Sequence, residues 1–295
     1  MISMQSTIQF VRFVSQIASL YSRCKDDEIL VFRGHSRRDY FCVPGIFRES
    51  EKNASKIGHS ECSSAHEIMV ECPEEFDKRD HLSCLVKMQH YGLKTRLLDF
   101  SRNPLVALYF ACGFNPESAG SVVICKLKKD EIKHHSSDTV LCLASLPFLS
   151  EEDKASIKNY CSSNLGGILD EESCKNNKSI RHLYHEIKSQ YPAFDFEIKA
   201  EDLMTSCFVA ANKDNERMRR QNGLFAVYGL DERMSRKNVE KHIIATIEIP
   251  KDQKGETLRM LEHFGIDDSV IYAGLDRAAA QLYGKQLILE TSLDK

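Results

Sequence analysis

The chain has 295 residues, and its 40 Lys+Arg against 43 Asp+Glu give a formal net charge of −3. A hydrophobic content of 42% with 28% charged residues is ordinary for a globular protein, which excludes wholesale disorder and a fibrous repeat. Because the net charge is close to zero, any contact with nucleic acid has to come from a local basic patch.

The sequence carries no signal for a membrane or for export. No run approaches the roughly 18 consecutive apolar residues that a spanning helix needs, and the N-terminus lacks the charged and apolar regions of a signal peptide. The eleven cysteines are odd in number and form no CxxC pair, so we expect reduced thiols and a cytoplasmic protein without membrane contact. Cys62, His66 and Cys72 match no usual zinc spacing, and we predict no metal.

The first hundred residues alternate between helical and strand patterns. Apolar residues at helical spacing predict an amphipathic opening helix whose inner face includes Val11, Val14 and Ile17. EILVFRG (28–34) is typical of a buried strand, whereas 48–75 lacks a clear period and is predicted as loop with at most one short helix. Residues 78–91 predict a helix that ends at Gly92.

The following segments predict a strand, a buried helix and another strand. TRLLDFS (95–101) has a strand pattern, and Asn103-Pro104 supplies a helix cap followed by proline at the first helical position. LVALYFAC is therefore predicted as a buried helix, and SVVICKL (121–127) as the next strand.

From about 128 to 200 the composition becomes more polar, which indicates a mainly helical insertion with helices at 151–161 and 179–190. Strand patterns return at 206–211, 224–229 and 242–250, followed by helices at 255–263 and 275–283. This order predicts a single domain over 1–295 of the α+β class, with a mostly antiparallel sheet.

Four segments in order carry a family resemblance. They are VFRGH (31–35), MQHYGLKTRLLDFSRNPLVALYFA (88–111), RRQNGLFAVYG (219–229) and LEHFGIDDSVIYAGLD (261–276). Together they resemble the FRG domain family, named for the triplet found here at Phe32-Arg33-Gly34. FRG domains are in turn similar to the ADP-ribosyltransferase superfamily, in which a split antiparallel sheet clamps NAD.

The resemblance implies which residues form the site. Arg33 and Gln221 match the positions of the superfamily's first and third catalytic elements, and TRLLDFS occupies the place of the second, with Thr95, Asp99 and Ser101 as its polar candidates. The implied catalytic residues are Arg33, Asp99 and Gln221. The implied NAD-binding residues are Arg33, Gly34, His35, Tyr40, Tyr91, Thr95 and Ser101. The superfamily commonly has a glutamate where this chain has Gln221, and a neutral amide cannot supply the charge that stabilises the ribose as nicotinamide leaves. Catalysis would then depend on Asp99 or another acid, or proceed without a carboxylate.

Structural roles remain open for the same residues. Arg33 could be a buried partner of Asp99, Ser101 and Asn103 could serve as helix caps, and Tyr91 could belong to the core. Gln221 could simply precede a turn at Asn222-Gly223.

A local basic cluster lies just before Gln221. Arg217, Arg219 and Arg220 fall within five positions of it and suit an acceptor that carries phosphates, unless they form a solvated turn balanced by Asp214 and Glu216. The expected function is transfer of ADP-ribose from NAD to a macromolecule, with a base in mRNA as the favoured acceptor. The resemblance further implies a growth-inhibiting defence toxin with a neutralising antitoxin. The alternatives are a non-catalytic nucleotide or nucleic-acid binding module and, less favoured, hydrolysis of free NAD.

Overall fold

The computed structural model describes residues 4–48, 60–77, 80–210 and 223–271. Its helices and strands are interspersed along the chain. The strands are β1 Glu28–His35, β2 Leu97–Ser101, β3 Gly120–Lys128, β4 Ile132–His134, β5 Ile168–Leu169, β6 Ile198–Lys199, β7 Cys207–Ala210, β8 Gly223–Val227 and β9 Ile243–Ile249. The helices are α1 Met4–Tyr21, α2 Gly45–Arg48, α3 Glu61–Glu71, α4 Pro73–Phe76, α5 His81–His90, α6 Pro104–Cys112, α7 Asp138–Ser145, α8 Glu151–Ser163, α9 Glu171–Asn176, α10 Lys178–Gln190, α11 Ala200–Met204, α12 Glu232–Glu240, α13 Lys254–His263 and α14 Asp268–Ile271.

Seven strands form one sheet in the order β4-β7-β8-β2-β1-β3-β9. All neighbours are antiparallel except β4 and β7, so the sheet is mixed and the α+β expectation agrees with the described part of the chain. β5 and β6 pair separately.

The sheet is weakly joined at its centre. β1 pairs with β3 along its full length, from Glu28 to His35, but meets β2 at the single pair Phe32 and Ser101. Beyond that pair the two strands part. The sheet therefore consists of two well-paired halves, and an opening lies between them.

Successive side chains of β1 lie on opposite faces of the sheet and therefore pack in different hydrophobic cores. Leu30 and Phe32 pack with α1, α6 and α13 on one face, whereas Val31 packs against Leu98 on the other. A third core joins α5, α7, α8 and α10 to the β2–β8–β7 half of the sheet.

The predicted helix signals near the site are confirmed. Asn103 caps α6 by accepting a bond from the Leu105 amide at 2.9 Å, and Pro104 is the first helical residue. α5 ends before Gly92, whose φ of 91° is the left-handed conformation that favours glycine.

Two segments differ from the sequence prediction, and a third lies where nothing tests it. The 48–75 region, predicted mainly as loop, contains α3 and α4. The 128–200 segment contains the predicted helices within α8 and α10, but it also supplies β4 to the main sheet. The predicted helix at 275–283 lies outside the described residues.

The opening helix also buries a different face from the one predicted. Phe10, Phe13 and Ile17 are buried, whereas Val11 and Val14 are exposed. Two phenylalanines bury more apolar area than two valines, so the aromatic series faces the core.

Candidate functional site

A cleft opens where β1 and β2 part. Its volume is about 240 Å³, and α5 and α6 close its sides. It is lined by Phe32, Arg33, Gly34, Val86, Gln89, His90, Asp99, Phe100, Ser101, Val106, Ala107, Phe110 and Phe225. Small-molecule sites usually enclose roughly 300–1,000 Å³, so the described walls enclose somewhat less than a usual ligand site.

Arg33 spans the opening between the two strands. Its Nη1 donates to the main-chain carbonyl of Asp99 at 2.8 Å, and its Nε donates to Nε2 of His35 at 3.1 Å. The Asp99 carboxylate is farther away, at 4.0 Å from Nη1. The Arg33–Asp99 pairing therefore exists, but its close bond is to the backbone. Within the described ranges, the remaining guanidinium donors are left for a ligand.

His35 holds Arg33 in place as a neutral acceptor. The residue is buried, and burial together with the charges of Arg33 and Arg48 lowers the pKa of His35 to about 3. At neutral pH its Nε2 therefore carries a lone pair toward Arg33. The proton of the ring sits on the other nitrogen.

Changing His35 to glutamine is expected to flatten the dependence of stability on pH. The folded-state pKa of about 3 lies below the ordinary value of 6.5, so between those values the unfolded chain binds a proton here that the folded chain does not. Stability is thus lost as pH falls through this window, by roughly 1.4 kcal/mol per pH unit. Denaturant unfolding should show the wild type losing about 2 kcal/mol more than His35→Gln between pH 7 and pH 5; equal losses would contradict this.

The Asp99 carboxylate is fixed from the side opposite Arg33. Nε2 of Gln89, on α5, lies 2.7 Å from each carboxylate oxygen of Asp99. Oε1 of Gln89 in turn accepts a bond from the buried Thr95 hydroxyl at 2.6 Å. These hydrogen bonds orient the Asp99 carboxylate, and the Asp99 side chain remains 56% exposed at the cleft.

Gly34 and Ser101 have local structural partners. A Cβ added at Gly34 would lie 2.0 Å from the carbonyl oxygen of Ala107, so close packing of α6 on β1 requires glycine here. A glycine at position 34 is therefore explained by helix packing as well as by close approach of a ligand. Ser101 accepts a bond from the Asn103 amide at 3.0 Å, just before α6.

The two candidate stacking tyrosines lie apart from the cleft walls. Tyr40 is 41% exposed and contacts the His35 ring edge-on, with centroids 6.4 Å apart. Tyr91 is 62% exposed and packs edge-on against His90. Neither tyrosine lines the 240 Å³ cleft. Thr95 does not line it either, but its hydroxyl bonds to Gln89, which does.

Four predicted site residues lie outside the described residues: Gln221, Arg217, Arg219 and Arg220. The next described residue, Gly223, pairs with Ser101 at the start of β8. The chain therefore enters β8 at the edge of the cleft.

Sequence reasoning missed Gln89 as a site residue. Its position in MQHYGLKTRLLDFS lies inside the block that carries the family resemblance, and that membership was the available signal. Helical periodicity alone predicts only that Gln89 lies near the buried face of α5.

Residues 28–119 match the FRG domain. No curated protein and no solved structure matches the chain. The FRG match runs from β1 to the residue before β3, and it contains every lining residue of the cleft except Phe225. The polar wall of Arg33, Gln89, Asp99 and Ser101 is therefore built entirely within the FRG segment.

A second depression lies elsewhere on the described part of the chain. A larger depression of about 940 Å³ lies between α4 and the end of α10, lined by Glu74, Asp77 and Asp80 without a described basic residue. Among described residues, no group of three or more His, Cys, Asp and Glu side chains could hold a metal ion. Of the Cys62, His66 and Cys72 group considered for zinc, burial raises the pKa of the Cys62 thiol.

No helix in the described ranges is both long and apolar enough to cross a bilayer.

Proposed function

We propose that the chain transfers ADP-ribose from NAD to a macromolecular acceptor, with a base in mRNA as the favoured target. The observation that carries this proposal is the convergence of Arg33 and Asp99 on one cleft, at the point where the two halves of the sheet part. A cation whose guanidinium keeps donors that no described residue takes, beside an oriented carboxylate, suits cleavage of the glycosidic bond in NAD.

Each group has a role in the chemistry. The bond between ribose C1′ and the nicotinamide nitrogen breaks, and its electron pair leaves with neutral nicotinamide. A positive charge develops on the ribose, and the Asp99 carboxylate can stabilise it. The acceptor atom then bonds to C1′ and releases its proton to solvent. Arg33 supplies a planar fork that fits a phosphate or a ribose hydroxyl pair, and Phe110 and Phe225 supply apolar walls.

Asp99 takes the place of the superfamily's glutamate in this proposal. The cleft walls that the structure describes include no glutamate, and Gln221 cannot provide a charge. We expect Asp99→Asn to lower nicotinamide release by about 10²-fold or more, because the amide keeps the bonding shape but removes the charge. Measuring nicotinamide release by the purified protein with NAD tests this. Activity of the variant within a few-fold of the wild type would show that another group supplies the negative charge.

The absence of a glutamate from the described cleft also favours the second candidate, a nucleotide or nucleic-acid binding module without turnover. Incubation of the purified chain with NAD labelled on the adenylate phosphate and with total RNA separates the possibilities. Label in RNA supports transfer. Nicotinamide release without labelling supports NAD hydrolysis, and NAD binding with neither product supports the module.

From the FRG resemblance we also propose that the activity inhibits growth and is neutralised by a partner protein. Inducible expression in a bacterial host tests it: wild type should arrest growth, and Asp99→Asn should not.

A further inference from the structure

We propose that an aromatic–arginine surface beside the cleft binds single-stranded nucleic acid by base stacking. The surface consists of Tyr40 and Phe41 with Arg37, Arg48 and Arg236, and we call it the Tyr40–Phe41 surface. It lies outside the cleft lining and is distinct from the 217–220 arginines.

Two neighbouring aromatic rings are open to solvent here. Tyr40 is 41% and Phe41 56% exposed, in the segment between β1 and α2. Single exposed apolar side chains are common on protein surfaces. Here two consecutive rings are exposed, and a guanidinium carbon lies near the centroid of each, so a flat group can stack on the uncovered part of either ring.

The arginines are held against the rings. The Arg236 guanidinium carbon lies 3.8 Å from the Phe41 ring centroid, and those of Arg37 and Arg48 lie 5.5 and 6.0 Å from that of Tyr40. Asp39 pairs with Arg37 at 2.7 Å, and Glu240 accepts from Arg236 at 2.7 Å. These carboxylates fix the guanidinium planes and offset two of the three charges.

Arg48 is the cation most available to a phosphate. Its described hydrogen bond is from Nε to the Val43 carbonyl, which leaves the other guanidinium donors for a ligand. It also lies near enough to His35 to lower the pKa of that ring. The surface thus combines stacking rings with a modest excess of positive charge.

The surface connects directly to the cleft. Tyr40 contacts the His35 ring, and His35 accepts the bond from Arg33. A base stacked on Tyr40 would therefore stand close to the reacting ribose. That this bound strand is the acceptor rests on the proposed function, whereas the binding itself does not.

Single strands fit this chemistry better than duplexes. Every unpaired base presents a flat face that can stack on an aromatic ring or a guanidinium, whereas the bases of a duplex are already stacked on each other. Because few cations are free, we expect about one or two phosphate contacts. The slope of log K against log salt should then be about −0.7 to −1.4.

The test is fluorescence anisotropy with a labelled oligouridine, without NAD, so its outcome is independent of catalysis. Phe41→Ala and Tyr40→Ala should each weaken binding by roughly 5- to 150-fold, the range measured for stacked bases. Phe41→Trp should retain binding and Phe41→Leu should lose it, because stacking needs a flat ring. Phe264→Ala removes a ring that is 60% exposed on another part of the surface, and should have no effect.

Thermal unfolding of each variant checks that it is folded. No binding by the wild type overturns the proposal, as does equal binding by the wild type and Phe41→Ala. Equal affinity for an RNA duplex would show recognition of charge or shape and would also overturn it. Failure of the proposed function would appear separately, as no nicotinamide release in the presence of NAD.

Discussion

Replacing Arg33 with alanine is expected to lower nicotinamide release from NAD by at least about 10²-fold while the protein stays folded. The side chain is 14% exposed and makes two close hydrogen bonds, to His35 and to the Asp99 carbonyl. Water in the cleft can replace both, so the cost to stability is about 1–3 kcal/mol. That corresponds to a fall in Tm of several degrees.

A charge-conserving variant separates geometry from charge. Arg33→Lys keeps the positive charge but loses the planar fork, so we expect activity between those of wild type and Arg33→Ala. If Arg33→Ala instead unfolds, or retains full activity, Arg33 is a structural residue and the site loses its anchor.

Arg96 provides the matched contrast to Arg33. It lies in the 88–111 segment, another of the segments that carry the family resemblance. Its guanidinium is buried, with bonds to the Tyr228 carbonyl and to both carboxylate oxygens of Glu61. Lys154 also reaches Glu61, at 3.3 Å. This buried triad ties α3 and α8 to β2, and its role is structural.

Replacing Glu61 with alanine is expected to destabilise the protein by about 3–5 kcal/mol. The change leaves Arg96 and Lys154 buried without their shared carboxylate. Burial alone would raise the pKa of Glu61, but the charges and hydrogen bonds of Arg96 and Lys154 outweigh it and lower that pKa. The stabilisation is therefore present above the ordinary pKa of 4.5 and is lost as pH falls through the lower folded-state value.

The control is Glu151→Ala, which removes the other carboxylate that contacts Lys154. Glu151 is 61% exposed, so its pairing at 2.6 Å should contribute about 1 kcal/mol or less. Denaturant unfolding of both variants at pH 7 compares them directly. Similar losses for Glu61→Ala and Glu151→Ala would contradict the structural role of the triad.

Local signals made much of the fold predictable. The strand that ends near Arg33, the cap at Asn103 and the helix end at Gly92 each follow from residue types with a fixed backbone preference. The 48–75 region was predicted mainly as loop because the first turn of α3 buries a glutamate, which breaks the apolar period that marks a helix. Its partners are distant in sequence, so nothing local indicates that Glu61 is buried.

The site was predictable in its charged residues and less so in its contacts. Arg33 and Asp99 are recognisable by type, but the 2.8 Å bond joins Arg33 to a main-chain oxygen, which every residue carries. Gln89 is a neutral amide in a helix, and its role depends on Thr95 and Asp99 meeting it across the start of β2. Such a contact follows from tertiary packing rather than from spacing.

A crystal structure of the protein with NAD would test the central claim most directly. The account predicts that the nicotinamide end of NAD occupies the cleft between β1 and β2, with Arg33 bonded to a phosphate or ribose oxygen and Asp99 beside the ribose. Binding of NAD at another surface, or a cleft that stays filled by Arg33 and the surrounding side chains at saturating NAD, would contradict it.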